Sequence, residues 1–70
     1  MTHEHARDRL IRLKEVMAQT GYGRTSIYEM MKDGRFPLPV RDDGALRFSE
    51  NEVQAWIGER KAARIHKWVA

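Results

Sequence analysis

Arg24, Thr25, Tyr28, Glu29 and Lys32 are the residues whose types and spacing suit hydrogen-bond chemistry with a polyanion. On a helix over residues 24–33, turning about 100° per residue, Thr25, Glu29 and Lys32 fall together opposite Ile27, Met30 and Met31. Arg24 and Tyr28 stand on the flank of that face. An arginine in the first turn of a helix, beside unpaired amide donors, can grip a phosphate. Threonine offers a methyl and a hydroxyl to a base edge, tyrosine a hydroxyl to sugar or phosphate, and lysine a point charge. Glu29 fits less simply. Phosphates repel it, yet a carboxylate can accept from the cytosine amino group; pairing with Lys32 at i+3 is its more ordinary use, and the one expected here. Taken singly, each of these side chains also reads as solvated surface.

Arg35, Arg41 and Arg47 lie on or beside a short hairpin and are expected to form one basic edge flanking the helix. Arginine suits a narrow minor groove, which a hairpin can track, whereas solvation alone is the plainer reading. The acidic Asp42-Asp43 pair at the hairpin tip opposes phosphate contact there. Arg60, Lys61, Arg64 and Lys67 run without an intervening acid, either extending a phosphate track or keeping a terminal helix soluble. Ile65, Trp68 and Val69 recur at helical spacing and suit a protein partner, self-association or a disordered tail equally. His3-Glu4-His5 supplies two imidazoles without a third placed ligand, so no metal or other cofactor is expected. No nucleophile adjoins a base, and no glycine-rich phosphate loop occurs, which argues against an enzyme and against a small-molecule ligand.

The elements that must position these residues follow from the apolar pattern. Seventy residues allow one small domain, with folding hiding about 60 % of the unfolded chain's surface. The absence of cysteine excludes disulfides and thiolate zinc. With no apolar run long enough for a signal peptide or membrane span, a cytoplasmic location is expected and a membrane partner is not. Thirteen Lys and Arg against ten Asp and Glu give a net charge of +3, which permits nucleic-acid binding without requiring it. Residues 1–9 are polar and aperiodic, predicting a flexible tail. Leu10, Ile11 and Leu13 suit one edge-strand contact. Leu13, Val16, Met17 and Thr20 predict a first helix that Gly21 stops, and Gly34 closes the second. Phe36 is expected to plug the core between Pro37 and the second helix. Val40-Arg41 and Leu46-Arg47-Phe48 flank an Asp-Gly turn and predict a two-stranded ribbon. Ser49 and Glu52 form a capping box opening a third helix, whose core face of Val53, Trp56 and Ile57 gives way to Arg60, Lys61 and Arg64.

Two short helices joined by a glycine-containing turn predict a helix-turn-helix, and the ribbon after it a wing. The fold class is mainly α with a small β wing, a winged helix-turn-helix over residues 10–58, followed by a basic helical extension or tail over 59–70. An unrelated αα-hairpin is the competing architecture. From Leu10 to Ile57 the residues resemble the AlpA-type prophage and genomic-island regulators, whose excisionase-like winged helix also resembles the DNA-binding domain of MerR regulators. The resemblance rests on Arg12 to Met17, Thr20 to Tyr28, Gly34-Arg35-Phe36-Pro37, and Ser49 to Ile57 with Glu52-Val53 and Trp56. It implies a DNA-binding regulator of integrase expression or of excision, with double-stranded DNA as partner and self-association on DNA or an integrase as further contacts. Two departures stand out: many members have serine where Gly23 stands and tryptophan where Phe48 stands. Some relatives behave as inhibitors, so the alternative is a protein-interaction module that blocks another regulator.

Overall fold

The computed structural model describes residues 7–64. The chain runs β1 (Leu10–Ile11), α1 (Leu13–Thr20), α2 (Arg24–Lys32), β2 (Val40–Asp42), β3 (Ala45–Ser49) and α3 (Glu50–Ala62). The expected two-stranded ribbon is widened by β1, giving an antiparallel sheet in the order β1-β3-β2. Leu10 faces Ser49 and Ile11 faces Phe48 across one side of β3, while Val40, Arg41 and Asp42 face Arg47, Leu46 and Ala45 on the other. The hairpin turns on Asp43 and Gly44, both with positive φ (57° and 84°), the pair of conformations that matches the twist of the flanking strands. Together these elements make a winged helix-turn-helix.

Val16, Ile27, Met30, Phe36, Val53 and Trp56 are buried, as the spacing predicts, and Leu13, Met31 and Ile57 pack half-buried around them. Two further core residues, Ile11 and Phe48, come from the strands. Phe48 is 1 % exposed and belongs with Ile27, Val16 and Val53 among the largest fully buried side chains. Its ring meets Phe36 edge-on at 6.1 Å between centroids. Trp56 closes the other side, meeting Phe36 at 4.8 Å and donating its Nε1–H to the Arg35 carbonyl at 2.7 Å.

The start of α3 is held from residues that the sequence assigned to the N-terminal tail. The Asp8 carboxylate accepts from the Ser49 hydroxyl and, at 2.9 Å, from the Asn51 amide; the Glu50 amide donates to the Arg9 carbonyl at 2.8 Å. Ser49 Oγ accepts from the Glu52 amide at 3.1 Å, the expected half of the capping box. Asp8 thus adds a carboxylate from outside the motif, placed on the Asn51 amide and the Ser49 hydroxyl and not on the Ser49 amide that the motif assigns to Glu52. Arg9 Nε pairs with Glu50 at 3.0 Å, and Gln19 donates to the same carboxylate at 2.9 Å, joining the segment before β1 to α1 and α3. The rest of the predicted tail, residues 1–6, lies outside the described residues, as do residues 65–70. α3 itself continues unbroken across residues 58 and 59, where the sequence suggested that the domain ends.

The Ser49 hydroxyl and then the Asn51 amide hold the Asp8 carboxyl below its ordinary value of 3.8. A lowered folded-state pKa contributes stability that is present above the ordinary value and lost as pH falls through the lowered one. Because Asp8 is exposed, solvent screens the contribution to about 0.5–1 kcal/mol. Asp8→Asn is therefore expected to lower stability by that amount near neutral pH, the gap to the parent closing as the pH falls below 3.8 through the lowered value. Urea midpoints of both proteins across a pH series from neutral into acid check this; a gap that does not narrow as the pH falls overturns it.

Candidate nucleic-acid interface

The candidate surface is built on the angle between α1 and α2, and the turn that sets it contains two glycines. Gly21 ends α1 at φ 82°, its amide donating to the Met17 carbonyl at 2.8 Å. Only a residue at ease with left-handed backbone closes a helix this way. The Thr20 hydroxyl donates to the Val16 carbonyl at 2.9 Å and accepts the Tyr22 amide at 3.2 Å, tying the turn to the helix it leaves. Gly34 ends α2 at φ 75° with a paired closure: Arg35 N donates to the Met30 carbonyl at 2.8 Å and Gly34 N to Met31 at 3.1 Å. Both ends of α2 are thereby fixed within a few residues of its ends.

Arg24, Thr25, Tyr28, Glu29 and Lys32 are all exposed on α2, and Ile27 and Met30 are buried behind them. Tyr28 is 40 % exposed, a large ring left uncovered. No side chain caps the N-terminus of α2, where Gly23 stands in extended conformation, and no acid occupies its first turn. The expected Glu29–Lys32 pair is not formed: among the described residues the ion pairs are Arg9–Glu50 and Arg35–Asp33. Three residues apart on a short exposed helix, the two side chains gain too little from pairing to offset the entropy of holding it.

The hairpin arginines do not make the single basic edge that their sequence proximity suggested. Directly opposed residues of an antiparallel pair share a face and neighbours alternate, so Arg41 shares a face with Leu46 and Arg47 shares the other with Val40. Arg35 lies in the loop before β2, its guanidinium held by Asp33 at 3.0 Å. Arg47 is half-buried, and its Nε is shielded from solvent without a hydrogen-bond partner. It lines a groove of about 430 Å³ with Arg12, Lys14, Leu10 and Glu15. Arg12 and Lys14 are cations that the sequence pattern did not single out. What brings them to Arg47 is the register of β1 on β3, a long-range pairing with no local signal.

Among the described residues no three His, Cys, Asp or Glu stand close enough to hold a metal ion, and no helix is long and apolar enough to cross a membrane. His3 and His5 lie outside those residues, as do Ile65, Lys67, Trp68 and Val69. Arg60 and Lys61 belong to the last turn of α3, and Arg60 lies over the Trp56 ring at 4.6 Å from its centroid.

A turn-linked helix pair with an exposed second helix and an adjoining hairpin defines the excisionase-like class of winged helix-turn-helix proteins. The chain belongs to the family described as "Prophage CP4-57 regulatory protein (AlpA)", whose model matches residues 9–61, and this is a regulatory family and not an enzyme family. It is similar to "Uncharacterized protein ORF88" of Enterobacteria phage P4, 38 % identical over 58 residues that cover 81 % of this chain and 66 % of the relative. Two further relatives are each 49 % identical over 48 residues, covering 69 % of this chain and 73 % of their own length. One is "Response regulator inhibitor for tor operon" of Escherichia coli (strain K12), the other "Probable excisionase hkaC" of Shigella phage Sf6. The chain thus spans about two thirds of the length of the first of these relatives. No solved structure matches.

A Cβ at position 23 would meet nothing within 4 Å, and the backbone there is one that any residue adopts. Gly23→Ser is therefore expected to add a side-chain cap to α2 and to restrict the unfolded chain, raising stability by about 0.5–1 kcal/mol. A higher urea midpoint at unchanged m-value is the expected reading, and an unchanged or lower midpoint overturns it.

Proposed function

We propose that the protein is a sequence-specific DNA-binding regulator of a prophage or genomic island, acting as activator of an integrase gene or as an excision factor. The observation that carries this reading is the outward face of α2: Thr25, Tyr28, Glu29 and Lys32 stand exposed on a helix whose other side is anchored in the core. On this reading residues 10–58 form the DNA-binding domain, and 59–70 form a basic extension. α2 enters the major groove with Thr25 and Tyr28 facing base edges, Glu29 lying between them without a base partner, and Lys32 reaching the backbone. Arg24 and the uncapped amides beside it hold a phosphate. Arg35, Arg41 and Arg47 meet the backbone or the adjacent minor groove from the loop and the two faces of the wing. The protein works in the cytoplasm with the DNA that it binds, and a second copy or an integrase joins it there. The relative named as an excisionase favours the excision role. The relative named as a response-regulator inhibitor favours the alternative, a module that blocks another regulator, because it is equally similar to this chain.

Duplex DNA binding is expected to weaken with salt at a slope of log K on log salt of about −4 to −5, corresponding to about four to six neutralised phosphates. Binding absent at low salt, or a slope near zero, overturns the DNA reading. Thr25→Ala with Tyr28→Ala is expected to narrow the gap between cognate and scrambled duplex. Arg41→Ala with Arg47→Ala is expected to weaken both alike and to reduce the slope by about one for each lost contact. If the helix pair leaves the ratio unchanged, the reading surface lies elsewhere.

Glu29 is expected to act by repulsion, so Glu29→Ala strengthens binding to all sequences alike. Competition against a randomised duplex pool checks this; relaxation at one base position by about 1–3 kcal/mol makes Glu29 a cytosine contact instead.

A further inference from the structure

A separate groove of about 430 Å³ lies between the end of α1, the turn after it and the last turns of α3, and the DNA reading does not use it. Its floor is aromatic. Tyr22, 37 % exposed, meets Trp56 edge-on at 5.7 Å between centroids, and Ile57 continues the apolar surface. Its rim is cationic: Arg60 lies over the Trp56 ring, with Lys61 and Arg64 beside it. No carboxylate lines the groove, and among the described residues none of the three cations forms an ion pair.

Local roles explain these cations only in part. Positive charge in the last turn suits the negative end of the α3 dipole, and Arg64 Nε donates to the Lys61 carbonyl at 2.9 Å. Neither role requires all three to gather around an exposed aromatic edge with no acid among them. Placement adds to the argument. An Arg60 Nη reaches the Met30 sulfur at 3.7 Å, and Met30 belongs to the buried stripe of α2, so the groove lies behind the face that carries Thr25, Glu29 and Lys32. A duplex held by that face leaves the groove open.

We propose that this groove docks an acidic segment of a partner protein, with an apolar side chain against Tyr22, Trp56 and Ile57 and carboxylates against Arg60, Lys61 and Arg64. Charge complementarity selects this occupant. A phosphate backbone matches the rim but brings no apolar anchor for the floor. The chain's own residues 65–70 supply apolar groups but no acidic side chain and bring a further lysine, leaving the rim poorly matched. An amphipathic helix with glutamates flanking its apolar stripe satisfies both.

The test titrates the full 15N-labelled chain, without DNA, with a synthetic helical peptide of about 14 residues bearing leucines on one face and glutamates around them. The control peptide has lysine at each glutamate. The Trp56 indole and the Tyr22 and Ile57 amide signals are expected to shift with the acidic peptide and not with the control. Lys61→Gln with Arg64→Gln is expected to weaken the acidic peptide about fivefold while leaving the salt slope of DNA binding unchanged, since that slope counts phosphate contacts. No shift at Trp56, or equal binding of the two peptides, overturns the proposal. A fall in the DNA salt slope of about one per lost cation overturns it in favour of a phosphate track. Binding that appears only after residues 65–70 are removed overturns it in favour of the chain's own tail. Because the peptide titration contains no DNA, its failure and a failure of the DNA reading are seen separately.

Discussion

Four aromatic rings in edge-to-face contact run from the helix-turn-helix turn to the wing: Tyr22 on Trp56, Trp56 on Phe36, and Phe36 on Phe48. Such contacts constrain angle as well as distance, because edge and face carry opposite partial charge. The Trp56 indole adds a hydrogen bond to the Arg35 carbonyl, pinning the segment that leaves α2. That segment, from Arg35 to Pro39, has no helix or strand of its own and contains two prolines that withhold amide donors. Its path is therefore set by side-chain packing. The relation between α2 and the wing passes through these rings, and a winged domain needs that relation fixed if helix and hairpin are to meet one duplex.

The sequence reveals those parts of the fold that are encoded over a few residues. The Gly21 and Gly34 helix ends, the Asp43-Gly44 turn and the Ser49 cap are local, and each stands where its residue type predicts. The outward face of α2 is likewise legible, because Ile27 and Met30 fix the helix rotation. Parts encoded across the chain are not. Leu10 and Ile11 suggest only an edge strand seeking a sheet; that its partner is β3 depends on the Phe48 side chain filling the space beside Ile11. Asp8 looks like one more charge in a polar stretch, and its hold on the first turn of α3 spans more than 40 residues. The faces of Arg41 and Arg47 follow from strand alternation once the register is known, although adjacency in sequence suggests a common edge.

Cations are distributed unevenly around this framework. Arg9 and Arg35 are matched by Glu50 and Asp33, and Arg60 is folded over an indole. Arg24 and Lys32 on α2 and Arg41 on the wing have no ion-pair partner among the described residues. Exposed ion pairs contribute little to stability, so leaving these cations unpaired costs the fold almost nothing. It does leave their charge available to an incoming phosphate, which need not first displace a carboxylate.

The two helix starts that flank this charge differ in a way that bears on function. At α3 the first three amides are all engaged, by the Arg9 carbonyl, the Asp8 carboxylate and the Ser49 hydroxyl. At α2 no side chain caps the start, the cap position is glycine, and the first residue is an arginine rather than an acid. An arginine there opposes the positive end of the helix dipole, so local stability alone disfavours it. An anion arriving from outside reverses the sign of that interaction, satisfying the amides and the guanidinium together. The start of α3 is closed by the chain's own groups, whereas the start of α2 is left open, and on the proposed function a DNA phosphate closes it.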